Sequence, residues 1–364
     1  MRLSGQVLTP EGLRSGTLTF GERIEGFVPG KAPLRYLLPG FIDLHVHGGA
    51  GADAMEGEKG VRQLARFHAS HGTTALLATT VTAPFEDLKR ALSGIEAVRA
   101  RPEAGEARVL GAHLEGPWIS PKKLGAQPPF ARPPVPDEVE ALLALTRVRV
   151  VTLAPEVEGG LELVRLLKAR GVRAQIGHTN GTFEDARAAL EAGAAGFTHF
   201  FNAMTGLHHR APGVVGAGLL FARFAELIAD GLHVAPEAAR LLFKNVPGAY
   251  VVTDAVAAAG MPDGPYPLGR YRVEKRGEGV YLEDGTLAGS TLTLDRALKN
   301  LVAWGLRLPE AASRLSKLPA RYLGLEDRGE LRTGYRADIV VLDENLNVEE
   351  VYVEGRRVPP ADAR

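Results

Sequence analysis

Six residues carry most of the chemistry this chain could do. His45 and His47 stand two apart in FIDLHVHGG, Glu115 lies in LGAHLEGPW, His178 in AQIGHTNG, His199 in FTHFFNAM and Asp254 in YVVTDAV. Side chains at i and i+2 of a strand point the same way, so two imidazoles a few Å apart could share one cation. A lone His or Asp at a strand end is more often a hydrogen-bonded structural residue, and H-x-H alone is a modest signal. Four histidines and two carboxylates, each closing a short apolar run, are harder to explain that way. Burying them together without a cation would cost several kcal/mol in desolvation and like-charge repulsion. The pattern predicts a metal site.

The elements that must hold these residues alternate along the chain. Apolar runs occur at 36–47, 74–81, 108–115, 148–154, 172–178, 195–201, 225–231 and 249–254. Helical patterns such as FEDLKRALSGIEAVRA and GLELVRLLKARG lie between most of them. Eight strands with intervening helices predict an α/β fold with a parallel sheet covered on both faces. Closed on itself, that sheet is a TIM-like (β/α)8 barrel, in which residues at the C-terminal strand ends form the site. An open doubly wound sheet is the rival, but no strand here leads into G-x-G-x-x-G. The segment 271–290 reads as a hairpin excursion, followed by helical patterns near 293–304 and 309–323. Residues 1–37 and 331–364 are rich in strand and turn signals. They are expected to meet in one small β-sandwich domain flanking a barrel at 38–330.

Bulk properties narrow the function classes. The 364 residues suffice for a barrel of about 250 plus a smaller unit. Lys+Arg and Asp+Glu both number 43, so no nucleic-acid or membrane-surface partner is indicated. There is no cysteine, which leaves His, carboxylate or backbone oxygen as metal ligands. No apolar signal core or membrane span is legible, and a cytoplasmic enzyme is expected.

In order along the chain, PGFIDLHVHG, HLEGPW, GHTNG, THFFNAM, IADGLHV, VTDA and GTLAGS resemble the N-acetylglucosamine-6-phosphate deacetylases of the amidohydrolase superfamily. HLEGP, FNAM and ADGLH are more specific than H-x-H, which the whole superfamily shares. The resemblance implies that Glu115, His178 and His199 bind a divalent cation (Zn, Fe, Mn or Co fit alike) and that Asp254 is the catalytic acid/base. His45 and His47 match ligands of a second metal that some members lack, so one or two ions per subunit are implied, with Glu115 as bridge where both are held. Other superfamily members bridge their metals with a carbamylated Lys on strand four, and RVRVVTLAPE holds no Lys.

The same resemblance implies a sugar phosphate substrate. Asn202, the Ala203 backbone and Arg210 match its phosphate site, with Arg210 presented across the interface of a homodimer or homotetramer. Asp230, Gly231, Leu232 and His233, with Leu287, Ala288 and Gly289, match substrate-contacting loops. Ala126 and Gln127 are further candidates, and Gln127 stands where some members place a His. An amide donates a hydrogen bond there but carries no proton charge. From their positions, Asp43 is expected to orient a ligand, His113 to be structural, and His68 and His71 to be surface or packing residues of the first helix. His208 and His209 stay open between pocket and surface. Two rival functions remain at this point. A dihydroorotase-like or adenine-deaminase-like enzyme shares the barrel and H-x-H, and a non-catalytic barrel would predict eroded ligands.

Overall fold

The computed structural model describes residues 1–359. Its centre is a ring of eight parallel strands: Phe41–Val46, Thr73–Thr80, Arg108–Glu115, Val148–Leu153, Arg173–Ile176, Gly196–Phe197, Glu226–Ile228 and Tyr250–Val252. Strands one to six form one sheet in sequential order, and strands seven and eight form a parallel pair. The amide of Phe200 donates to the Glu226 carbonyl (2.8 Å) and joins strand six to strand seven. The amides of Asp254 and His47 donate to the carbonyls of His45 and Ala255 (both 2.8 Å) and join strand eight to strand one. These bonds close the ring on both sides of the pair formed by strands seven and eight.

Every residue of strands one and two is buried, as expected for strands enclosed by barrel interior and helices. Helices return the chain between successive strands, for example Glu58–Ser70, Phe85–Ala100 and Gly160–Ala169. The last of these buries Leu163, Val164 and Leu167, the three-to-four spacing of one helical face. Helix Phe183–Ala192 starts on a capping box in which Thr182 and Asp185 each satisfy the other's backbone amide. Local sequence and barrel geometry therefore agree.

Past strand eight, the anticipated hairpin is part of a four-stranded antiparallel sheet: Gly264–Leu268, Tyr271–Arg276, Gly279–Tyr281 and Leu287–Ser290. Ser290 ties it to the barrel, its amide donating to the Asp254 carbonyl (2.8 Å) and its carbonyl accepting from Val256 (3.0 Å). The expected helix at 309–323 is two, Leu308–Leu315 and Lys317–Leu323, because Ser316 leaves helical geometry at φ −134° and ψ −69°.

The two chain ends share one seven-stranded sheet. Its order is Arg356–Arg357, Val348–Val353, Ile339–Leu342, Tyr36–Pro39, Arg2–Thr9, Gly12–Phe20 and Ile24–Pro29. Phe20 and Tyr352 lie four strands apart in this order, yet their rings meet edge-on at 5.3 Å. A flat sheet would hold them about 19 Å apart at the usual strand spacing. The two layers expected of a sandwich are thus halves of one sheet, bent over Leu3, Val7, Leu18, Ile24, Ile339 and Val341. The last part of the expected terminal unit, 360–364, lies outside the described residues.

Candidate metal centre and active site

Two residues past the ends of strands five, six and eight, the backbone turns into left-handed geometry. This happens at His178 (φ 46°), His199 (φ 27°) and Asp254 (φ 50°). Each such residue costs about 1–3 kcal/mol, a cost concentrated where side chains must be aimed rather than packed. His45 and Glu115 come from the strands themselves, and His47 follows one residue after strand one. All six side chains meet. Glu115 Oε1 lies 3.1 Å from the Nε2 atoms of both His178 and His199, which are themselves 3.1 Å apart. Its Oε2 lies 3.2 Å from His47 Nε2, and His45 Nε2 is 3.4 Å from Oε1. Asp254 Oδ1 sits 3.3 and 3.1 Å from the Nε2 atoms of His45 and His47.

The outer ring nitrogens decide what these inner atoms offer. His47 Nδ1 faces the Thr79 carbonyl (3.2 Å) and His178 Nδ1 the Lys123 carbonyl (2.9 Å). His45 Nδ1 faces the Glu226 carboxylate (2.9 Å). Carbonyls and carboxylates only accept, so Nδ1 donates to each of them and Nε2 is the atom turned inward. The Nε2 atoms of His45 and His47 face each other across 3.2 Å. Bare lone pairs this close would repel, and a divalent cation would turn the same atoms into ligands. Glu115, His178 and His199 form one set fit for an ion, and His45, His47 and Glu115 a second that shares the carboxylate.

The electrostatics agree. Burial pushes His45 toward its neutral form, but the carboxylates of Glu115, Asp254 and Glu226 outweigh it and hold the ring well above its usual value. Against the same burial, Asp254 and Glu115 raise His47 to about 9. Burial alone would raise Asp254, yet His45 and His47 bring it down to about 2. The centre therefore demands positive charge, whether protons or a metal ion supply it.

Glu226 is the residue the sequence reading missed. It is fully buried on strand seven, accepts from His45 and from the His199 amide (3.2 Å), and so fixes two ligands at once. Its only sequence signal is a carboxylate inside the apolar run FAELIA. Asp43 does lie behind a ligand, accepting the His45 amide (3.2 Å) and the Thr253 hydroxyl (2.6 Å). His113 has both ring nitrogens engaged, by the Leu44 carbonyl and the Thr152 hydroxyl, although it also lies within reach of His45 and Glu226. His68 is buried in packing, and His71 pairs with Asp295 at 3.2 Å.

Above the cluster opens a cavity of about 210 Å³. His47, Glu115, His178, His199 and Asp254 line its floor. Ala126, Gln127, Asn202, Ala203, His233, Leu287 and Gly289 line its walls. Gln127 is held at both ends: its carbonyl accepts from the Thr82 amide (2.7 Å) and its NH2 donates to Glu115 Oε2. Asp230 stands behind the wall, accepting from His233 Nδ1 (2.6 Å) and from the amides of Leu232 and His233. Gly231 forms the turn between them (φ 79°). Five further residues are not brought to the cavity. Leu232 points to solvent at 46% exposure. Strand alternation turns Ala288 into the core while Leu287 and Gly289 face the cavity. Arg210 is exposed, with its guanidinium against His209 (2.8 Å), and His208 and His209 are exposed beside it.

The amidohydrolase family pattern matches residues 36–358. This chain belongs to the amidohydrolase family. Its metal dependence agrees with the paired ligand sets. Among similar proteins is the N-acetylgalactosamine-6-phosphate deacetylase of Escherichia coli, 45% identical over 88% of this chain and 87% of that one. The N-acetylglucosamine-6-phosphate deacetylase of Vibrio furnissii is 41% identical over 88% of this chain and 82% of its own. A solved mutant of the N-acetyl-D-glucosamine-6-phosphate deacetylase of Mycobacterium smegmatis, in complex with N-acetyl-D-glucosamine-6-phosphate, superposes with a TM-score of 0.92. It is 36% identical and covers 98% of this chain and 99% of that one. Among the described residues, no helix of this amidohydrolase is long and apolar enough to cross a membrane.

Proposed function

We propose that this amidohydrolase removes the acetyl group from N-acetylglucosamine 6-phosphate, releasing acetate and glucosamine 6-phosphate. The observation that carries the reading is the place of Asp254, a carboxylate at the junction of metal cluster and cavity. A divalent cation on Glu115, His178 and His199, with room for a second on His45 and His47, supplies the Lewis acidity that makes water nucleophilic near neutral pH. Asp254, held below the ordinary carboxylate value by the positive charge this centre gathers, is ionised there and takes the proton of the attacking water. It returns that proton to the amide nitrogen, which leaves only as an amine. His233 stays protonated more readily than an ordinary histidine: Asp230 outweighs the effect of burial. Its remaining Nε2–H is suited to the developing oxyanion.

For the phosphate, the Asn202 amide and the Ala203 backbone supply donors at the cavity wall. Arg210 would complete the set from a second copy of the chain in a homodimer or homotetramer, since its own cavity does not reach it. We also propose that residues 1–37 and 331–364 behave as one domain and 38–330 as the other. N-acetylgalactosamine 6-phosphate is the second reading, favoured by the name of the Escherichia coli relative. Acetate release should be measured from both phosphorylated sugars and from plain N-acetylglucosamine. The glucosamine phosphate should give the highest kcat/KM, about 100-fold above the unphosphorylated sugar. A higher value for the galactosamine epimer selects the second reading. Indifference to the phosphate sinks both.

A further inference from the structure

At the opposite end of the barrel, the chain forms a second concavity of about 860 Å³ that the proposed reaction does not use. Four cations line it: Lys168 and Arg173 at the entry to strand five, Arg223 before strand seven, and Arg321 on the last helix. Among the described residues, no carboxylate lines it. All four side chains are exposed, and none is within ion-pair distance of a carboxylate among the described residues. Acids on the neighbouring helices are already engaged, Glu191 by Arg187 (3.6 Å) and Glu140 by Arg170 (2.6 Å).

The bowl is also shaped. A Cβ on Gly193 would lie 2.3 Å from Lys168 Cδ, and one on Gly248 2.2 Å from the Arg223 carbonyl oxygen. With Ala194 and Ala195 beside them, these small residues keep the floor open and let the Lys168 stem lie across it. Arg173 is held over the Tyr322 ring (5.7 Å), which packs against Phe224 on the wall at 5.3 Å. Leu190, Phe221 and Leu318 make the rest of the wall apolar. Just behind, Arg149 is held below its ordinary pKa first by burial and then by Arg147 and Arg173, so positive charge accumulates at this end.

We propose that this bowl binds a nucleoside polyphosphate, its phosphates on Lys168, Arg173, Arg223 and Arg321 and its base against Phe224 and Phe221. One phosphate monoester carries about −1.5 to −2 at neutral pH, less than four cations can balance, so linked phosphates fit better. The apolar wall calls for a flat ring attached to them.

The test is calorimetric titration of the metal-loaded protein with adenosine triphosphate. The expected result is one site with Kd below about 1 mM, weakening as salt rises. Arg223→Glu/Arg321→Glu, at two exposed side chains, should weaken binding at least about tenfold. The single exposed change Lys168→Glu should act in the same direction, which guards against a folding defect in the double variant. Arg210→Ala, on the other rim, should leave binding unchanged. Tripolyphosphate, the same charge without a base, should bind at least about threefold more weakly. Absence of binding overturns the proposal. So does binding that survives in both charge-reversal variants, as stripping of the metal or occupation of the catalytic cavity would. Equal affinity for tripolyphosphate overturns the nucleotide class.

Discussion

His199 and Arg210 stand close in sequence, yet the rim that holds one and the loop that holds the other are built in opposite ways. On the rim, nearly every functional atom has an anchor from the same chain. Glu226, Thr79 and Lys123 fix three imidazoles from behind, Gln127 clamps Glu115, and Asp230 sets His233. The loop has no such support. Arg210 is exposed and, among the described residues, hydrogen-bonds to His208 and His209, and Leu207 before it is 57% exposed. On the proposed reading, metal binding and proton transfer need one chain alone, whereas the grip on a phosphate needs a second.

The sharpest way to break this contrast is at its catalytic end. Asp254→Asn keeps the shape but cannot take a proton, so kcat should fall about 10³-fold while metal content stays at the wild-type level. Near-normal turnover would remove Asp254 from its role. Next comes the anchoring itself. Glu226→Gln should weaken metal affinity about 10–100-fold in competition with a chelator, with the fold retained. Unchanged affinity would mean that the anchor behind His45 is idle.

On the loop side, Arg210→Ala should raise KM for the phosphorylated sugar about tenfold, the loss of one charged hydrogen bond. It should leave metal content and the unphosphorylated reaction untouched; an equal effect on both sugars would place Arg210 elsewhere in the mechanism. The last effect concerns stability behind the rim and leaves turnover aside. His68 donates from Nε2 to the Gly48 carbonyl (2.9 Å), and burial brings its pKa to about 4. The unfolded chain takes up this proton near pH ~6.5 and the folded protein only near 4. The stability it contributes is therefore complete above pH ~6.5 and lost as pH falls through 4. Urea unfolding between pH 7 and 4 should show wild type losing roughly 3 kcal/mol more than His68→Gln. Parallel curves would contradict this.

What was legible in the sequence follows the same division. His45, His47, Glu115, His178, His199 and Asp254 could be read because each closes an apolar run, and strand periodicity plus the barrel rule carry strand ends to one place. The anchors could not. Thr79 and Lys123 act through backbone carbonyls that any residue would supply, and Glu226 sits inside a strand with nothing in its spacing to pair it with His45. Ala288 shows the converse: the motif LAG marked a segment correctly, but only the register of its strand decides that the middle residue turns inward. The single bent sheet at the chain ends was legible as strands but not as one sheet. Its bend is set by contacts such as Phe20 with Tyr352, hundreds of residues apart.

The claim on which the rest depends is that the inner nitrogens and oxygens of the rim serve a cation. Its most direct test is acetate release from N-acetylglucosamine 6-phosphate after chelation, followed by titration with a divalent metal while bound metal is counted. Activity should vanish on chelation and return as Glu115, His178 and His199 fill. Full turnover by protein shown to hold no metal would contradict the account.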